Sequence, residues 1–185
     1  DCEVFAQNDA SIQDFLLKTA FMKQFSPEMA CQLTGIAAAA AVLTELNSRN
    51  FFTEKFTGSS LTYSYHPLFR EFLIIRAHVV FPLKIIDETK QLAARILEEH
   101  DFIELAAELY LAVRDWADFT RLLQRVAEKM ITRGRSVTLN SWISALPPDA
   151  LDGSPWLLYW LGVCRFTDHV LEARSLYERA LQLFR

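Results

Sequence analysis

The chain has 185 residues, 51% hydrophobic and 23% charged, with a formal net charge of −4, enough apolar material for one domain or two small ones with real cores. Split at Pro82, it carries 6 basic and 8 acidic residues before and 13 and 15 after, so each part is −2 and neither has the basic excess of a nucleic-acid-binding domain. Cys2, Cys31 and Cys164 are far apart and odd in number. They show neither metal spacing nor a disulfide framework, which points to a reducing cytoplasm.

A polar lead-in with Val4 and Phe5 as anchors precedes the first helical signal. Ser11 reads as an N-cap with Asp14 three residues on, and Ile12, Phe15, Leu16, Thr19 and Ala20 give the helix its core face. Ser26-Pro27-Glu28 starts a second, short helix that ends at Gly35. A third runs through the alanine-rich stretch to Asn47. Its apolar run from Ile36 to Leu43 is too short to cross a bilayer, and no signal-peptide pattern precedes it.

Phe51 to Phe56 and Leu61 to Tyr65 read as two strands around a Thr57-Gly-Ser-Ser60 turn. Within Tyr63-Ser-Tyr-His-Pro-Leu-Phe-Arg-Glu-Phe-Leu73 the second strand becomes a helix. Tyr63 and Tyr65 share one strand face. Pro67 ends strand pairing and fits the first helical position, where its missing N–H costs nothing. That leaves His66 at a helix start, beside backbone N–H groups that favour an anion. The residues alone leave two roles open for His66: a cap or packing residue, or an anion contact. Three helices, a hairpin and a closing helix to about His78 are the order of a winged helix, expected over residues 1–82.

Residues 83–185 read as purely helical with short breaks. The expected segments are 83–99, 102–113, 115–133, 136–146, 155–166 and 169–184. Such spacing predicts helical hairpins stacked as an α-solenoid, in a chain that is mainly α throughout. Leu158, Leu161, Gly162, Ala173, Tyr177 and Ala180 resemble the tetratricopeptide pattern, although the connecting turn is one residue short. The chain lacks an initiator Met and stops inside a helical pattern, so it reads as a piece of a longer protein.

Chemistry is sparse. The 5 glycines form no phosphate-cradling loop. His66, His78, His100 and His169 are scattered without metal spacing, and no Ser or Cys has an activating context. An enzyme active site within the chain is not expected, nor a metal. Arg121, Arg125, Lys129 and Arg133 recur every four residues, as a solvated face or as a row for an acidic partner. Trp142, Trp156, Tyr159 and Trp160 either pack between hairpins or line a ligand groove.

Several segments resemble a known family. Phe15-Leu-Leu-Lys-Thr-Ala20, Cys31-Gln-Leu-Thr-Gly35, Leu46-Asn-Ser-Arg-Asn-Phe51 and the Tyr63–Leu73 stretch look like the region after the NTPase module in MalT-like regulators. These are bacterial signal-transduction ATPases of the STAND class, many ending in a LuxR-type DNA-binding domain. Trp142-Ile-Ser-Ala-Leu-Pro147 and Ser154-Pro-Trp-Leu157 resemble the start of their helical sensor arm.

The resemblance implies a winged helix that packs on an NTPase module and holds an ADP-bound off state without reading DNA itself. It also implies an arm that relays inducer or partner binding. Related NB-ARC proteins carry a Met-His-Asp motif whose histidine contacts the ADP phosphate. Tyr65-His66-Pro67 resembles it, with Pro67 where that motif has an acid. ATP or ADP would then belong to the longer protein and not to this segment. A freestanding protein-interaction scaffold is the alternative, and a Walker motif upstream separates the two.

Overall fold

A computed structural model describes residues 10–48, 53–57 and 61–185. The expected lead-in, Phe51 and Phe52, and the tip of the hairpin turn lie outside the described residues. The elements are α1 (Ala10–Thr19), α2 (Pro27–Thr34), α3 (Ala39–Ser48), β1 (Thr53–Thr57), β2 (Leu61–Tyr65) and α4 (Pro67–Val80). There follow α5 (Leu83–Glu99), α6 (Ile103–Val113), α7 (Trp116–Thr132), α8 (Ser136–Ser144), α9 (Pro148–Asp152), α10 (Pro155–Arg165) and α11 (Val170–Leu183). The fold is mainly helical: a winged helix and a helical arm.

β1 and β2 pair antiparallel, with Thr53 opposite Tyr65 and Lys55 opposite Tyr63. Phe25 bridges the other edge of β2. Its N–H donates to the Tyr63 carbonyl at 3.0 Å, and the Tyr63 N–H returns a bond of 2.7 Å. Tyr63 is thus paired on both edges, and Thr62, Tyr63 and Tyr65 are all buried. Phe15, Leu16, Phe25, Met29, Leu43 and Leu73 complete the core around them. Each such side chain contributes roughly 1.5–3 kcal/mol by leaving water.

Local chemistry sets the helix ends. The Met29 N–H donates to Ser26 Oγ at 3.2 Å, Pro27 takes the first position, and Gly35 closes α2 in the left-handed region at φ 74°. Ser11 does not cap α1 as expected; the helix already begins at Ala10.

The contacts divide the chain into two compact units, up to Leu109 and from Tyr110 onward. The reason lies in α5. It packs against α2 and buries Ile86, Ala93, Ile96 and Leu97, so it shares the core of the first unit.

The breaks after α5, α6 and α7 are one device used three times. Asp101, Arg114 and Gly134 each adopt positive φ (62°, 56° and 72°). The residue after each donates its N–H five positions back: Phe102 to Leu97, Asp115 to Tyr110 and Arg135 to Met130. This Schellman closure satisfies the last helical carbonyls and turns the chain sharply.

In the second unit α10 and α11 form the most intimate hairpin. A Cβ at Gly162 would sit 2.6 Å from the Tyr177 ring, so only glycine admits that ring. Pro148 occupies the first turn of the short α9. Among the described residues no helix is long and apolar enough to cross a membrane.

Candidate functional site

The strand-to-helix junction places His66 at the N-cap of α4, exposed to solvent, with backbone angles of −52° and 136°. Its side chain makes no capping hydrogen bond to the helix. The His66 carbonyl accepts the first helical bond, from the Arg70 N–H at 2.9 Å. Because Pro67 has no N–H, helix geometry leaves the N–H groups of Leu68 and Phe69 without an acceptor inside α4. They point outward at the His66 end, the positive end of the helix dipole.

The residues on either side hold this end still. Tyr65 is buried beneath it, its ring 5.5 Å from Phe25 and edge-on to Phe69 at 5.9 Å. Its hydroxyl lies 2.7 Å from Thr19 Oγ1. Thr19 spends its single proton on the Phe15 carbonyl at 2.7 Å, so Tyr65 is the donor. Burial pushes the Tyr65 phenol well above its usual range.

Arg70 lies one helical turn beyond His66 and is half-buried. Burial lowers its guanidinium, and the Glu108 carboxylate counteracts that. Its Nε is buried without a hydrogen-bond partner among the described residues. Sequence reading passed over Arg70, although its spacing of four from His66 was the available signal. The junction therefore joins an exposed imidazole, a helix start and a guanidinium one turn away.

The other candidates are not brought to this place. His100 Nε2 is 3.4 Å from Gln32 Oε1, His78 sits in the last turn of α4, and His169 precedes α11. Among the described residues no three His, Cys, Asp or Glu side chains are placed to hold a metal ion. A cleft of about 530 Å³ lies between Ser26–Met29, Leu61, His100 and Phe102. Glu28 on its wall has the wrong sign for a phosphate.

Arg121, Arg125 and Lys129 on α7, with Arg133 just after it, form an exposed row opposite the buried Phe119, Leu122, Leu123 and Val126. Arg121 pairs with Asp118 at 3.2 Å. Trp156 stands edge-on to Phe184 at 5.1 Å and to Tyr159 at 6.2 Å, and Tyr159 meets Trp160 at 5.0 Å. Trp156 remains 54% exposed, so this cluster is a surface as well as a packing feature. Trp142 lies half-buried on α8.

Comparison with known proteins agrees with the geometry. The sequence model of the MalT winged helix domain matches residues 1–83. The HTH-type transcriptional regulator MalT of Vibrio cholerae serotype O1 is 27% identical over 155 residues, 84% of this chain and 17% of that protein. The protein of the same name from Cronobacter sakazakii is 26% identical over 156 residues, again 84% and 17%. These matches are longer than the winged helix, so the similarity continues into the helical arm. The chain spans 17% of the length of each relative.

Proposed function

We infer, from a first domain that is a winged helix of the MalT type, that this chain is a regulatory segment of a bacterial transcriptional regulator. In this reading the winged helix senses nucleotide state. The His66 end of α4 faces an NTPase module elsewhere in the longer protein, and the imidazole donates a hydrogen bond to the ADP phosphate. The helical arm relays binding of an inducer or protein partner, for which the exposed Trp156 cluster offers a surface. The protein works in the cytoplasm. This segment neither hydrolyses ATP nor reads DNA.

The observation that carries the reading is the exposed His66 at a helix start, pinned by buried Tyr65 on one side and Pro67 on the other. A backbone set before the ligand arrives loses no further entropy on binding. Arg70 adds positive charge one turn away. The third helix of the winged fold supports the negative half of the proposal: α3 contains no Lys or Arg and carries Glu45. A helix without cations makes few phosphate contacts in a groove.

Calorimetry tests the division of labour. ADP titrated into this chain alone should give no micromolar binding, because a helix start and one imidazole do not cradle a diphosphate. The longer protein should bind ADP tightly. Equal, tight binding by the isolated chain would place the whole nucleotide site here and overturn the reading.

A further inference from the structure

The face of α4 turned away from the core is apolar. Leu68, Ile75 and Val79 are 69%, 60% and 70% exposed, while Phe69, Leu73 and Ala77 are buried on the other side. With half-buried Phe72 they follow at spacings of four, three and four, the repeat that keeps one stripe facing a partner helix. Single exposed apolar residues are ordinary, but a stripe of this regularity marks an interaction surface.

The charges beside the stripe select its partner. In heptad terms Leu68 and Ile75 occupy d positions, and Phe72 and Val79 occupy a positions. Glu71, just before Phe72, is then a g position, and Arg76, just after Ile75, is an e position. Both are exposed. In two parallel helices, g of one chain faces e of the other five residues on, which is the separation of Glu71 and Arg76. A second copy thus offers two symmetric Glu71–Arg76 contacts across one isologous seam. An antiparallel pair sets the Glu71 flanks against each other, and the Arg76 flanks likewise.

We propose that α4 is a self-association helix: two copies of this chain pair in parallel along Leu68, Phe72, Ile75 and Val79, locked in register by Glu71 and Arg76 of opposite copies. The proposal does not rest on a nucleotide contact, although Leu68 begins the seam in the first helical turn beside His66. Parallel pairing sets both His66 residues at the same end of the dimer. Two heptads make a short seam, so the dimer is reversible and concentration-dependent.

Sedimentation equilibrium of the chain from micromolar to submillimolar concentration reads this directly. The native chain should dimerise. Ile75→Glu should be monomeric, with an unchanged melting temperature at concentrations where the native chain is also monomeric, since the side chain is exposed. Glu71→Arg alone should weaken the dimer by about tenfold, because two contacts per dimer become repulsive. Adding Arg76→Glu should restore it. A monomer at every concentration, a dimer indifferent to Ile75→Glu, or a double variant no better than Glu71→Arg would each overturn the proposal. So would a monomer whose α4 face becomes protected from hydrogen exchange only within the longer protein, which would assign the stripe to another segment.

Discussion

Tyr65 and Thr19 lie 46 residues apart in sequence, yet their hydroxyls meet at 2.7 Å inside the core. This bond ties the end of β2 to α1 immediately before His66 and sets the direction in which α4 departs. Tyr65→Phe should cost about 1 kcal/mol at neutral pH, the worth of one buried hydrogen bond. It leaves the fold intact because the ring still packs on Phe25 and Phe69.

The same residue gives a pH prediction. Tyr65 is raised in the folded state by burial, whereas in the unfolded chain it ionises near its ordinary value of about 10. Above that pH the unfolded state releases a proton that the folded state keeps. Stability is therefore fully present below pH ~10 and falls as pH rises beyond it. Denaturant midpoints measured across the alkaline range should decline more shallowly in Tyr65→Phe than in the native chain.

Gly162→Ala should destabilise the α10–α11 hairpin by roughly 1–3 kcal/mol through overpacking against Tyr177. Helix propensity alone predicts the opposite sign, a gain of about 1 kcal/mol. In a Tyr177→Ala background the substitution should regain that favourable sign, which thermal melts of the four variants would reveal.

Arg114 holds positive φ without being glycine, and it is exposed. Arg114→Gly should raise stability by about 0.5–1 kcal/mol, the relief of left-handed strain less the flexibility that glycine gives the unfolded chain. Chemical denaturation measures the difference.

The helix order of the winged fold could be read from the sequence because its punctuation is strong. Ser26-Pro27, Gly35 and Pro67 each fix a terminus by local chemistry, and each stands where expected. Gly134 closes one arm break in the same way as Gly35. Asp101 and Arg114 make the same turn without a glycine, so their mechanism was not visible.

Where α5 packs was less legible. Whether α5 joins the core before it or the arm after it depends on the face that α2 offers, which no local pattern shows. His66 was visible because strand, proline and helix meet at one residue. The supports beneath it depend on contacts distant in sequence, Thr19 for Tyr65 and Glu108 for Arg70. Periodicity cannot reveal those.

Winged helices commonly enter DNA, and this one should not. With no cation on α3, low-salt gel shifts of the chain should show no nanomolar, sequence-dependent binding.

The most direct test of the account is His66→Ala in the longer protein, read by ADP affinity and by transcriptional activity without inducer. Loss of a charge-assisted hydrogen bond to phosphate, worth about 1.5–3 kcal/mol, should weaken ADP binding by tenfold or more and raise basal activity. The fold should be unaffected, because the side chain is exposed and makes no capping bond. Unchanged ADP affinity together with unchanged basal activity would contradict the account and leave His66 as a residue at a helix start.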